Sequence, residues 1–241
     1  MWPRGDALLH NDALLILQYA RTGCPVDCGR NWTKEEMQAA VATGPHVSAL
    51  TVEAAKQLHI EALEKQKQGF CKIIKWSDLE ENPPPGLKIS PIAMIPHKSR
   101  KYRAILDLSF QLLVGGCRLP SVNDATFAQA PAAAIDQLGN VIPRLIEAMA
   151  LAPEGKLLFS KLDIKDGYWR LNVEKGAEWN FAYVLPPRPG SSEVELFIPS
   201  ALQMGWSESP AFFCTATERA RDVAVTKLAS TTPLPPHPLE H

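Results

Sequence analysis

The stretch LKISPIAMIPHKSRKYRAILDLSF, residues 87–110, contains two runs rich in apolar residues on either side of a short basic segment. The runs 89–95 and 102–108 have the length and composition of β-strands. Because only a few residues separate them, we expect the two strands to be joined by a tight basic turn. This stretch therefore predicts a β-sheet in the middle of the chain.

Helical patterns stand on both sides of this region. The segment 31–44 has Thr33 and Glu36 at the spacing of a capping box, and Gly44 follows as a stop. The segment 48–69 is predicted to bury a face made of Val52, Ala55, Leu58, Ala62 and Leu63. Further helices are predicted over 7–20, 133–150 and 209–229, the last with Ser209 as its cap and Pro210 at its first position.

Three more strands are predicted after the middle of the chain, over 156–164, 178–185 and 193–199. Strands and helices alternate without the regular period of βαβ units. The fold class that this order favours is α+β rather than a doubly wound parallel sheet.

Composition and charge limit the class of protein. The chain has 241 residues, 46% of them hydrophobic, and a formal net charge of −1, so it is not basic overall. No apolar run reaches the roughly 18 residues that a membrane span needs, and the N-terminus does not resemble a secretory signal. Five widely spaced cysteines predict free thiols and an intracellular compartment, cytoplasm or nucleus. The pair Cys24 and Cys28 could instead bind zinc, although no second pair stands nearby.

A carboxylate stands at the end of a predicted strand. The run KLLFSKLDI, residues 156–164, carries Asp163 near its end, where a short side chain is rigidly placed. Divalent metals that prefer hard oxygen ligands bind such carboxylates, yet a solvated acid at the end of a strand has the same pattern. Asp166, directly before Gly167, is typical of a turn.

Two other stretches could contact a ligand. Residues 82–106 contain no Asp or Glu but include Lys88, Lys98, Arg100, Lys101 and Arg103, which suits a phosphate clamp or an ordinary charged hairpin tip. In LQMGWSESPAFF, residues 202–213, a glycine precedes a tryptophan and a helix start, so the backbone could approach a ligand closely or simply turn.

Taken together, MIPHKSRKYRAILDLSF, FSKLDIKDGYWRLNV and LQMGWSESPAFF resemble, in order and spacing, three successive blocks of reverse transcriptases. The closest similarity is to gypsy-type LTR retrotransposons and retroviral enzymes, and it covers about residues 87–220. The resemblance implies a right-hand polymerase with β-rich fingers and a ferredoxin-like palm. The resemblance does not cover residues 1–70, which are predicted from their helical patterns to be an N-terminal extension, and residues 71–241 are predicted to be the fingers and partial palm region.

The resemblance also implies a reaction and a set of partners. In this family the 3′-hydroxyl of a primer attacks the α-phosphate of a deoxynucleoside triphosphate on an RNA or DNA template, with two Mg²⁺ ions at the reacting oxygens. Asp163 matches the first metal-binding aspartate and the carbonyl of Ile164 its companion ligand. The nucleotide would be bound by Lys98, Arg103, Ile164, Tyr168, Met204, Gly205 and Trp206, among which Tyr168 would contact the sugar and Arg103 the triphosphate, while Asp107 would be structural.

The sequence departs from this family in one respect that matters for activity. The family's second metal-binding element is a Tyr-x-Asp-Asp hairpin after the SPAFF helix, and no Asp follows Asp222 here. We therefore expect a C-terminally truncated polymerase with an incomplete two-metal site that is inactive alone, unless the missing C-terminal polymerase segment is supplied. The alternative is a non-catalytic nucleic-acid-binding remnant of such a polymerase.

Overall fold

The computed structural model of the chain describes residues 13–98, 101–131, 146–147, 149–151 and 163–229. It contains both helices and sheets, which confirms the predicted α+β class. The chain divides into two compact units, residues 1–18 with 131–160 and 210–241, and residues 19–130 with 161–209. The boundary predicted at residue 70 stays a prediction.

The helices and strands alternate irregularly along the chain. The helices are α1 (Ala13–Thr22), α2 (Lys34–Thr43), α3 (Val52–Lys67) and α4 (Ser209–Ala229). The strands are β1 (Cys71–Lys75), β2 (Ile92–Pro96), β3 (Tyr102–Leu106), β4 (Leu113–Val114), β5 (Cys117–Arg118), β6 (Tyr183–Val184) and β7 (Glu195–Pro199). Among the described residues, no helix has the length and apolar character required to span a membrane.

The predicted hairpin is present as β2 and β3, which pair antiparallel with Ile92 opposite Leu106 and Pro96 opposite Tyr102. It is shorter than predicted at its open end, where β2 begins and β3 ends. The strand β2 begins only after Pro91, which has no N–H to donate to a sheet. The strand β3 ends at Leu106 because Asp107 starts a turn, its carboxylate accepting a hydrogen bond of 3.1 Å from the N–H of Ser109.

The larger sheet has the strand order β1-β7-β6 and joins parts of the chain that are far apart. The strand β7 pairs antiparallel with β1, Ile73 lying opposite Phe197, and with β6, Tyr183 lying opposite the same Phe197. The strand β7 matches the run predicted over 193–199, whereas β1 has no counterpart among the predicted strands. The apolar centre of the segment CKIIK, which forms β1, is too short to predict a strand from the sequence.

The strand predicted over 178–185 is largely wrong. Residues Ala177–Phe181 form a 3₁₀ turn, and only Tyr183–Val184 pair in the sheet. The turn is stabilised by the side-chain amide of Asn180, which donates to the carbonyl of Ala177 at 3.1 Å. Most of the strand predicted over 156–164 and most of the helix predicted over 133–150 lie outside the described residues.

The predicted buried face of helix α3 is confirmed in part, at Leu58 and Ala62. Its buried residues are Ala54, Leu58 and Ala62, whereas Val52 is 84% exposed and Leu63 is exposed as well. The helix begins one turn later than predicted, because Thr51 is its N-cap and accepts a hydrogen bond from the N–H of Ala54. The later start assigns Val52 to the first, solvent-facing turn.

One cluster of buried side chains in the second unit lies between α2 and the larger sheet. It comprises Met37, Ala40, Trp76, Leu87, Ile89, Leu112, Leu119, Ala182, Val184, Leu196 and Ile198. All five cysteines are free thiols, as predicted. Burial raises the pKa of Cys24 and of Cys71 to about 12, so both thiols stay protonated at neutral pH.

The predicted capping box of α2 is confirmed. The hydroxyl of Thr33 accepts from the N–H of Glu36 at 3.2 Å, and the carboxylate of Glu36 accepts from the N–H of Thr33 at 2.8 Å. The guanidinium of Arg30 donates to both oxygens of Glu36, which lowers the pKa of that carboxyl. Side chains therefore accept hydrogen bonds from the backbone N–H groups of Thr33 and Glu36 at the start of α2.

Replacing Thr33 with alanine should lower the free energy of unfolding by about 1 kcal/mol, because one backbone N–H of the first turn loses its acceptor. Chemical denaturation measures the change. The matched control is Thr43→Ala in the last turn of the same helix, where an exposed hydroxyl donates to the carbonyl of Ala39. We expect that variant within about 0.5 kcal/mol of the wild type. Equal losses in the two variants would contradict a capping role for Thr33.

Candidate functional site

A cleft of about 300 Å³ lies within the second unit, between α3, the β2–β3 hairpin and the turn that follows residue 163. The side of α3 that faces it carries Leu58, Glu61, Ala62 and Lys65, which recur at helical spacing. Tyr183 and Phe197, whose rings stack with centroids 4.6 Å apart, line it from the larger sheet. The cleft therefore has an aromatic and aliphatic lining with charged groups at several points.

Four of the predicted site residues line this cleft: Arg103, Ile164, Tyr168 and Met204. They come from the three motif blocks, which are far apart in the sequence. The guanidinium of Arg103 contacts the thioether sulfur of Met204, so β3 and the segment after β7 meet at the cleft. Met204 is 51% exposed, and Arg103 is also accessible to solvent.

Asp163 lies next to the cleft rather than among its lining residues. It is exposed and directly precedes Ile164, which does line the cleft. Asp163 and Ile164 have irregular backbone, so a strand ending on Asp163 is not visible in the described part of the chain. Lys98 is exposed in the turn after β2, next to residues 99–100, which lie outside the described ones.

Gly205 and Trp206 are not among the residues that line the cleft, but they directly follow Met204, which is. Gly205 has a φ of +101°, and a Cβ there would lie 3.0 Å from the carbonyl oxygen of Leu106, so this position allows the close approach to β3. Trp206 is buried, packs edge-on against Phe181 and donates from its indole N–H to the hydroxyl of Thr126 at 2.9 Å. Their predicted role in nucleotide binding stays a prediction.

Asn123 holds this turn in place, and the sequence analysis did not identify it. Its side-chain amide donates to the carbonyl of Gly205 at 2.9 Å and to the hydroxyl of Ser109 at 3.0 Å. Its side-chain oxygen accepts from the N–H of Ser207 at 3.0 Å. One amide thus connects the segment after β3 with the segment before α4.

The basic residues of 82–106 do not form one cluster. Lys88 is buried away from the hairpin tip and its ammonium donates to the carbonyl of Cys28, while burial lowers the pKa of the amine. Lys101 forms an ion pair with Glu53 at the start of α3. Of the basic side chains singled out in the sequence, Arg103 is the one that lines the cleft, and Arg100 lies outside the described residues.

A second charged group at the cleft was missed by the sequence analysis. Lys65 of α3 lies 3.2 Å from the carboxylate of Asp166, with its ammonium over the rings of Trp169 and Phe70. Helical periodicity marks Lys65 only as a residue near a helix end. The residues around Lys65 give no pattern that predicts its contact with the turn at Asp166, which is far away in the sequence.

The described residues offer a limited set of metal ligands. Among them, no group of three or more His, Cys, Asp and Glu side chains is placed to share one ion. Asp163 offers an exposed carboxylate and Ile164 a neighbouring carbonyl. Mg²⁺ is often held by one or two carboxylates with several waters, so this pair fits a single, mostly hydrated ion. The incomplete two-metal site stays a prediction.

Comparison with known proteins leaves the resemblance resting on the three motif blocks. No protein-family model matches the chain, and no curated protein sequence is significantly similar to it.

Proposed function

We propose that the chain contains fingers and palm elements of an RNA-directed DNA polymerase that acts on a primer–template and deoxynucleoside triphosphates. The observation that supports this most is the meeting of the three motif blocks at one cleft. Arg103, Ile164, Tyr168 and Met204 line it, and Asp163 is adjacent. Convergence of three separate blocks on one cavity supports a common role for them.

Each of these residues would have a separate role in binding the substrates. The guanidinium of Arg103 would bind the phosphate oxygens, because its planar fork can donate two parallel hydrogen bonds. Tyr168 would pack against the sugar, on the same wall as Ile164. Asp163 would hold Mg²⁺, and the ion would supply charge stabilisation at the transferring phosphoryl group. Since Asp163 is the one acid of this set, we expect the chain alone to polymerise poorly.

Binding of the substrates is the first test, because it does not require a complete catalytic site. A primer annealed to an RNA template should bind with an affinity that falls as salt rises. In the presence of that duplex and Mg²⁺, dTTP should bind opposite a template adenine, as measured by calorimetry. Arg103→Ala should weaken dTTP binding about tenfold, equivalent to about 1.4 kcal/mol. Arg118→Ala, an exposed arginine of β5 away from the cleft lining, is the matched control.

Primer extension with Mg²⁺ is the second test. We expect slow extension at most, abolished by Asp163→Asn and unchanged by Asp78→Asn, an exposed acid after β1 that is outside the cleft lining. Strong extension that survives Asp163→Asn would overturn the role of that carboxylate. Duplex binding without any dTTP binding would overturn the polymerase proposal and favour a non-catalytic nucleic-acid-binding remnant.

A further inference from the structure

One wall of the cleft comes from α3, which precedes the region of the motif blocks. Lys65 on this wall is 20% exposed at its side chain, well below an ordinary surface lysine. Its ammonium lies 3.2 Å from Oδ2 of Asp166, 4.7 Å from the ring centre of Trp169 and 5.2 Å from that of Phe70. An exposed ion pair contributes little by itself, but an ammonium enclosed by two aromatic faces is desolvated and its attractions are stronger.

The turn that Lys65 contacts includes a residue with an unusual backbone conformation. Asp166 has a φ of +56°, in the left-handed region that non-glycine residues rarely adopt. Within the turn, Arg170 donates to the carbonyl of Gly167 at 3.1 Å and Leu171 to that of Tyr168 at 3.2 Å. A short turn with a residue in this conformation persists when groups outside it hold it in place.

The aromatic contacts connect this turn to the larger sheet. The ring centre of Trp169 lies 6.1 Å from that of Phe70, just before β1. It lies 6.3 Å from that of Phe197 of β7, and these two rings meet edge-on. Lys65 is thus placed where helix, turn and sheet meet, and the turn presents Ile164 and Tyr168 to the cleft. Releasing Lys65 would free Asp166 and remove one of the contacts of Trp169, whose ring would keep its contacts with Phe70 and Phe197.

We infer that Lys65 is a positioning residue of the cleft: its ammonium holds Asp166 and Trp169 and thereby fixes Ile164 and Tyr168 on the cleft wall. Helix α3 is then part of the binding site and not an appendage to it. The identity of the bound molecule as a deoxynucleotide rests on the proposed function, whereas the positioning role does not.

Hydrogen–deuterium exchange of the full chain tests the positioning role directly. In Lys65→Met, which keeps an unbranched apolar stem, the amides of residues 166–171 should exchange at least tenfold faster than in the wild type. Those of β2 and β3 should be unchanged. Lys65→Arg should restore slow exchange, since it keeps a cation for Asp166 and the rings.

The control is Lys67→Met, an exposed lysine in the same last turn of α3, which alters the charge at the helix end equally. It should exchange like the wild type. Unchanged exchange of residues 166–171 in Lys65→Met would overturn the inference. So would an equal acceleration in β2 and β3, because Lys65 would then stabilise the whole unit and not the turn.

Ligand binding provides the second readout, with dTTP, a primer–template duplex and Mg²⁺ as the probe. Lys65→Met should raise the Kd for dTTP about tenfold, and Lys65→Arg should restore most of the affinity. If the wild type binds no dTTP, the proposed function fails, while the exchange result still decides whether Lys65 positions the turn. An unchanged Kd in Lys65→Met, beside faster exchange, would overturn the part of the inference that connects the turn with binding.

Discussion

Replacing Gly23 with alanine is expected to cost about 3–5 kcal/mol of the free energy of unfolding, from backbone strain and overpacking together. Gly23 has a φ of +89°, and a Cβ there would lie 2.3 Å from both the carbonyl carbon and the oxygen of Val173. The neighbouring backbone is fixed, because Cys24 donates to the carbonyl of Asn172 at 2.8 Å and accepts from Glu174 at 2.9 Å. Neither segment can move away without breaking these bonds.

The matched control is Gly69→Ala after α3. Its φ of +79° is similar, but a Cβ would meet no atom within 4 Å, so this variant should lose only about 1 kcal/mol through backbone strain. Denaturation by guanidinium chloride measures both variants, and the difference between them isolates the clash with Val173. Equal losses would show that the close approach at Gly23 is not required for folding.

Replacing Trp206 with alanine should cost about 3–5 kcal/mol, the usual range for truncating a large buried aromatic side chain. Trp206 is 2% exposed and its ring centre lies 5.2 Å from that of Phe181. The substitution also removes the hydrogen bond that the indole N–H donates to the hydroxyl of Thr126. Because Gly205 and Met204 directly precede it, we expect the loss of Trp206 to loosen the cleft as well as the core.

Thr126→Val separates the hydrogen bond from the packing. It removes the acceptor of the indole N–H, together with the hydrogen bond that this hydroxyl donates to the carbonyl of Val122, while the ring stays in place. It should cost about 1–3 kcal/mol, mainly for the unsatisfied buried donor. Thermal and chemical denaturation of both variants gives the comparison. A loss below about 1 kcal/mol in Trp206→Ala would contradict the assignment of this residue to the core, since buried aromatic truncations rarely cost so little.

Features that depend on neighbouring residues were predictable from the sequence. The capping box of Thr33 and Glu36 involves residues one turn apart, and the β2–β3 hairpin joins strands separated by a few residues. The start of α4 at Ser209 was predicted as well, although the hydroxyl of Ser209 donates to the carbonyl of Gln203. In each case the partners are close in the chain, so local conformation decides whether they meet.

The short 3₁₀ turn over Ala177–Phe181 shows where this approach fails. Its aromatic and apolar residues are typical of a strand, but a strand also requires a partner. Of the segment predicted as a strand, only Tyr183 and Val184 pair with β7. Periodicity carries no information on how long a neighbouring strand is. Pairing with distant segments therefore overrode the local preference.

The sequence by itself predicts the helix ends and the hairpin, because the interactions that form them connect residues only a few positions apart. The cleft is different, since Lys65, Arg103, Tyr168 and Met204 come from four separate parts of the sequence. Their meeting depends on the pairing of β1 with β7 and on the close backbone approaches at Gly23 and Gly205. Packing of the whole unit selects these contacts, because each becomes favourable only when the other segments are already in place.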